Sequence, residues 1–222
     1  MTARDLPGRA ESRVVVCLRL ARPGSYHHGT LFEAFSTSTA VVALAEIGDK
    51  TQLLAIVLAT RFKKPMPIVL GILAATMVNH FLAAMVGVVA ADLLDGLWFR
   101  YAVAAGFLAM GLWTLVPDKL DDDDDAARPA RFGAFLTTVV AFFLVEMGDK
   151  TQVATIALGA RFHDALAVTA GTTLGMMLAN VPAVFLGNAL IARVPMNLVR
   201  LVAAALFIVI GAWLLAQTAG LV

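Results

Sequence analysis

The sequence predicts an all-α integral membrane protein of six transmembrane helices, arranged as two inverted three-helix repeats. Three observations carry this. Hydrophobic residues make up 60% of the 222 positions and charged ones only 15%, against about 25% charged in ordinary soluble domains. A soluble globule could not hide that much apolar surface. Apolar stretches recur at the roughly 20-residue length a helix needs to cross a bilayer. Finally, the second half repeats the first at an offset of 100 residues. The repeat is plainest in Glu46-Ile47-Gly48-Asp49-Lys50-Thr51-Gln52 and Glu146-Met147-Gly148-Asp149-Lys150-Thr151-Gln152.

Residues 1–30 differ from the rest. Five arginines (Arg4, Arg9, Arg13, Arg19, Arg22), two prolines and His27-His28 surround a short apolar run, Val14 to Leu18. That run is too short to span and has no clear cleavage site, so the segment is expected to be a disordered extension. The histidine pair is read as solvated, although such a pair can bind metal. The lone Cys17 excludes an internal disulfide and a cysteine-rich metal site. Metalloprotease, P-loop and dinucleotide signatures are absent, which argues against an enzyme. The net charge of +1 favours no anionic partner, and no nucleic-acid partner is expected.

Spans are expected at about 33–59, 66–91, 98–116, 133–160, 165–191 and 197–217, broken where charge and proline gather. The longest break carries Asp121 to Asp125, five aspartates in a row. Such a run repels itself and stays solvated, so 117–131 reads as an exposed acidic linker between repeats 31–116 and 132–222. Gathering cations at a pore mouth is the alternative role.

The repeat extends beyond the motif. Phe35 matches Phe135, Arg61-Phe62 matches Arg161-Phe162, Gly71 matches Gly171, and Gly87 matches Gly187. Asn79 matches Asn180 after a one-residue slip, and Phe107, Gly111 and Trp113 match Phe207, Gly211 and Trp213. Three crossings separate equivalent points, and three is odd, so the halves enter the membrane from opposite sides. Inverted repeats of this kind place ion sites near the midplane, at the repeat interface. Loop lysines and arginines concentrate on the side holding 61–65, 117–131 and 193–200, which should be cytoplasmic. The arginines of the amino tail run against that orientation.

Charges at membrane depth are costly and rarely kept without a pathway. On a continuous helix Glu46, Asp49 and Lys50 would share one face, with Gly48 opposite, permitting close contact or a local loosening of the backbone. Together the copies supply four carboxylates, Glu46, Asp49, Glu146 and Asp149, flanked by the amides of Gln52 and Gln152. This all-oxygen set suits hard divalent cations such as calcium, magnesium or manganese. Four carboxylates and the two lysines, Lys50 and Lys150, sum to −2, so one divalent ion leaves the site neutral. Without the ion, clustered carboxylates in a low dielectric cannot all stay ionised, and some take up protons. That is a basis for cation/proton exchange, with Lys50 and Lys150 pairing with the carboxylates when the metal has left.

Thr51 and Thr151 can bond back to the helix or offer a hydroxyl to the ion. Asn79 and Asn180 either line the site or bond between helices. His80, followed by no counterpart in the second repeat, reads as a hydrogen-bonded packing histidine. Trp113 and Trp213 read as interface anchors. A bland alternative exists for each motif, in which Glu and Lys four apart merely neutralise one another.

Paired Glu-x-Gly-Asp-Lys-Thr motifs in a duplicated six-helix chain resemble the Gdt family of manganese and calcium transporters, related to the lysine-exporter superfamily. Both Glu46–Thr51 and Glu146–Thr151 match without a substitution, and the resemblance covers about residues 31–217. It implies cation/proton antiport, with Glu46, Asp49, Glu146 and Asp149 as ion ligands and the divalent cation as substrate rather than cofactor. No long leader or extra first helix is visible, so the expectation is a bacterial plasma-membrane exporter of manganese, or of calcium. The alternatives are an exporter of a cationic amino acid and a non-transporting membrane scaffold.

Overall fold

A computed structural model describes residues 28–94, 96–116, 133–187 and 195–221. Most of the amino-terminal extension and all of the acidic linker 117–131 lie outside the described residues. Among the described residues there are eight helices and no strand. In order they are α1 (His28–Glu46), α2 (Lys50–Phe62), α3 (Pro65–Leu93), α4 (Leu97–Thr114), α5 (Ala134–Glu146), α6 (Lys150–Phe162), α7 (Ala165–Leu186) and α8 (Met196–Thr218).

Two sequence expectations are corrected here. The helices carrying the motifs are not continuous: each breaks inside the motif, α1 from α2 and α5 from α6. The cause is local. Gly48 and Gly148 adopt φ of 83° and 79°, a left-handed conformation open to glycine at little cost and incompatible with α-helix. The shared-face argument for Glu46, Asp49 and Lys50 therefore does not hold; a turn, rather than helical periodicity, sets their directions. Secondly, the first helix begins at His28, inside the segment expected to be a disordered extension.

Elsewhere the boundaries follow familiar chemistry. Lys63 and His163 end α2 and α6 in the left-handed region, φ 52° and 53°, and each donates its N–H to the carbonyl four residues back. Pro65, which has no N–H to leave unsatisfied, opens α3. Asp164 caps α7 by accepting from the Ala167 N–H at 2.8 Å. α7 ends at Gly187, φ 58°, so the expected pairing with Gly87 fails. Gly87 sits inside α3, where a Cβ would lie 2.0 Å from the Ile156 carbonyl oxygen of α6.

The two halves exchange partners. α1 and α2 pack on α7, α5 and α6 pack on α3, and α3 meets α7 between them. α4 and α8 pair separately, with the Phe107 and Phe207 rings 6.3 Å apart. Gly71 near the start of α3 lies against Phe135 and Thr138 at the start of α5, while Gly171 near the start of α7 lies against Phe35 and Ser38 at the start of α1. Two apolar clusters result. One holds Leu54, Leu58, Ile68, Ile72, Phe142 and Met176; the other holds Val41, Phe107, Leu158, Val168 and Phe207.

α3, α7 and α8 are each long and apolar enough to cross a membrane, and α5 is a shorter apolar helix. The outward faces are apolar too. Met66, Leu70, Met77, Val78, Leu82 and Val86 lie exposed along α3, a contiguous patch that water would not favour.

Candidate functional site

Each motif makes a small, self-supported turn between two helices. Glu46 is the last residue of α1 and Asp49 the N-cap of α2; Glu146 and Asp149 stand in the same places between α5 and α6. Asp49 and Asp149 share nearly the same backbone, φ −79° with ψ 166° and 167°. A carboxylate at this position faces unpaired N–H groups and the positive end of the helix dipole. The Asp49 carboxylate accepts from the Thr51 N–H at 3.4 Å.

The glutamines stabilise the break. Gln52 Oε1 accepts from the Gly48 N–H at 3.0 Å, and Gln152 Oε1 accepts from the Gly148 N–H at 2.7 Å. Their amide nitrogens then tie the turn to the opposite half. Gln52 Nε2 donates to the Ala179 carbonyl at 2.9 Å, and Gln152 Nε2 donates to Asn79 Oδ1. Both side-chain oxygens thus brace the turns, where the sequence reading had them flanking an ion. The threonines act alike: Thr51 Oγ1 donates to Glu46 Oε2 at 2.6 Å, and Thr151 Oγ1 to Glu146 Oε2 at 3.0 Å.

These braces bring the two motifs together. One carboxylate oxygen from each of Glu46, Asp49 and Asp149 lies within 4.8 Å of the others. The Lys50 ammonium pairs with Asp149 Oδ1 at 3.2 Å, across the halves. Glu146 is not part of the close triad, although its charge and that of Glu46 are near enough to repel. All four carboxylates are buried, Glu46 and Glu146 being 0% and 1% exposed. Glu46 Oε1, Glu146 Oε1 and Asp149 Oδ2 are buried with no hydrogen-bond partner among the described residues. A buried carboxylate oxygen without a donor costs several kcal/mol unless a cation or proton meets it.

The two halves are not identical at the site: Gln52 donates to a backbone carbonyl, Gln152 to the Asn79 side chain. Lys50 reaches Asp149, and Lys150 Nζ donates to the Val116 carbonyl at 3.2 Å and sits 5.9 Å from the centre of the Trp113 ring. Trp113, expected only as an interface anchor, thus touches a motif lysine, a contact that nothing in the sequence pattern announces. Asn79 takes part in the brace through Gln152. Asn180 Nδ2 donates within its own helix, to the Met176 carbonyl at 3.1 Å, and its Oδ1 is buried without a partner. His80 is fully buried, but neither ring nitrogen meets a partner among the described residues. The hydrogen bond expected of it is not formed among the described residues.

The family model described as "Divalent cation/proton antiporter GDT1" matches residues 34–122 and 134–221. A Vibrio cholerae protein described as "Putative manganese exporter" is 48% identical over 179 residues, covering 80% of this chain and 88% of its own length. GDT1-like protein 5 of Arabidopsis thaliana is 30% identical over 219 residues, covering 82% of this chain and 95% of its own. A GDT1-like protein of Synechocystis is 29% identical over 196 residues, covering 80% and 94%. No solved structure gives a significant match.

Proposed function

Since the chain belongs to the GDT1 family of divalent cation/proton antiporters, and is therefore a multi-pass membrane transporter rather than an enzyme, we propose that it exports manganese in exchange for protons. The manganese assignment leans on the Vibrio cholerae relative's description; calcium, which accepts the same hard oxygen ligands, is the second candidate. In this reading the cation is cargo, and no resident cofactor is required.

The ion binds between the two motif turns, on Glu46, Asp49 and Asp149, with Glu146 joining as the carboxylates rearrange around it. The observation that carries this is the buried triad, together with the carboxylate oxygens of Glu46, Glu146 and Asp149 that have no donor among the described residues. An ion at the centre of a triangle whose sides are at most 4.8 Å lies within about 2.8 Å of each corner. That is a few tenths of an ångström outside the range for calcium–oxygen bonds, so a small inward movement completes contact. The C-terminal ends of α1 and α5 also point at this region, and helix C-termini favour cations.

Coupling follows from competition for the same oxygens. When the ion leaves, three or four carboxylates share a low-dielectric pocket with the Lys50 ammonium. Protons then replace the lost positive charge. Lys50 offsets Asp149 and must yield that carboxylate when the ion enters. Thr51, Thr151, Gln52, Gln152 and Asn79 hold the turns, and Lys150 adjusts the charge on its side. Asn180 lines the same region.

For topology, each broken pair, α1–α2 and α5–α6, counts as one crossing, giving six in two inverted repeats, 31–116 and 132–222. The acidic linker 117–131 faces the cytoplasm and the membrane is the cell inner membrane, as the loop charges suggest. The test is reconstitution in liposomes under a pH gradient, with manganese and calcium supplied separately. Manganese movement with proton counterflow is expected. Movement of neither ion, or metal flux indifferent to the proton gradient, would remove the proposal.

A further inference from the structure

A second polar cavity lies away from the carboxylates, at the end of the bundle where the α3–α4 and α6–α7 turns meet the end of α8. It measures about 270 Å³ and is lined by Arg100, Arg161, His163 and Gln217, with Phe99 and Val103 among its apolar walls. Among the described residues no acidic side chain lines it. Glu33, more than half exposed, meets Arg161 Nη2 at 3.6 Å. Arg161 Nη1 is buried and has no partner among the described residues. A second source of positive potential is the start of α4. Gly96, which also lines the cavity, is its N-cap and supplies no side chain to the first-turn N–H groups.

The setting is that of a lipid headgroup. Trp98 and Tyr101, both exposed, flank Arg100 on α4, and such aromatics mark the membrane–water boundary. Basic pockets between transmembrane helices at headgroup depth take anionic headgroups; this one lies at the end of the bundle opposite the 61–65 loop. Guanidinium forks suit phosphate oxygens, which accept two parallel N–H bonds. The volume corresponds to about nine waters at ~30 Å³ each, room for a phosphate and its ester oxygens beside the phenyl ring of Phe99.

We propose that this cavity binds the phosphate group of an anionic lipid, held by Arg100, Arg161 and the amino end of α4. Its occupant joins the ends of α3, α4, α6 and α8. It therefore braces α6, whose other end begins at the Asp149–Lys150 turn. The proposal is independent of which cation is transported.

The test uses the purified full-length chain in detergent, titrated with phosphatidylglycerol and, in parallel, with phosphatidylcholine and with inorganic phosphate. Retained ligand is counted by native mass spectrometry. Phosphatidylglycerol should be retained in preference to phosphatidylcholine. Arg161→Gln and Arg100→Gln should each weaken retention about tenfold, the scale of one charged hydrogen bond. Arg61→Gln, the repeat mate of Arg161 outside the cavity, should not. Arg100 is exposed, so its substitution keeps the test meaningful if Arg161→Gln fails to fold. Arginine-dependent retention of inorganic phosphate but not lipid supports the phosphate site with a soluble anion as its source. Equal retention by wild type and both cavity variants, or an equal loss in Arg61→Gln, overturns the proposal.

Discussion

Replacing Glu46 by Gln should separate metal binding from folding. The substitution keeps shape and leaves an oxygen able to accept from Thr51, which now donates to Glu46 Oε2 at 2.6 Å. It removes one charge from a triad whose oxygens lie within 4.8 Å of one another. At about 2.8 Å and an effective dielectric of about 20, a divalent ion and one carboxylate attract by about 12 kcal/mol. Dehydrating the carboxylate and the ion offsets several kcal/mol apiece. If about 3 kcal/mol survives, binding weakens more than a hundredfold. The metal-free protein should be little affected, because the carboxylates of the empty site already share protons. The assay is thermal unfolding with and without manganese. Wild type should gain about 2.7 kcal/mol at a hundredfold excess over Kd. The variant should gain almost nothing at the same concentration, while its metal-free melting temperature stays level. A normal manganese-induced shift in Glu46→Gln would refute the site. A clearly changed metal-free melting temperature would refute the account of its electrostatics.

The remaining predictions address the supports. Lys50→Met removes the cation paired with Asp149 at 3.2 Å, so manganese should bind more tightly yet be released more slowly; equilibrium binding and liposome flux measured together would show the opposed changes. Gln152→Leu leaves the Gly148 N–H and Asn79 Oδ1 without their partner, costing about 1–3 kcal/mol, read as a lower melting temperature and slower flux than in Gln152→Glu. Gly87→Val should fail to fold or lose more than about 3 kcal/mol, because a Cβ would sit 2.0 Å from the Ile156 carbonyl oxygen; Gly106→Val, in open space, should be tolerated. Manganese affinity should fall as pH is lowered, since protons and metal compete for the same carboxylates. Competition titrations at several pH values would expose a site that lacks this linkage.

The amino-acid sequence by itself determines the helical class, the duplication and the identity of the charged groups. Apolar composition leaves no alternative to burial in lipid, and a 100-residue offset that preserves Glu, Gly, Asp, Lys, Thr and Gln together is visible without coordinates. The candidate ligand set can be read for the same reason: oxygen donors are a property of residue type. What the pattern misreads is direction. Helical periodicity put Glu46, Asp49 and Lys50 on one face, but Gly48 at φ 83° breaks the helix between them. A glycine in a motif is equally compatible with close packing and with a left-handed turn, and only its neighbours decide. Here they do so through Gln52 and Gln152, whose oxygens satisfy the N–H groups that the break exposes.

Only the tertiary structure distinguishes the two copies. The repeat treats Gln52 and Gln152 as equals, yet one donates to the Ala179 carbonyl and the other to Asn79 Oδ1. It likewise matches Gly87 with Gly187, although one lies inside a helix contact and the other ends a helix. Sequence symmetry specifies which groups each half brings. Which of them pair across the interface depends on contacts between α3, α7 and the opposite motif turns. Those contacts join residues about a hundred positions apart, and no local pattern encodes them.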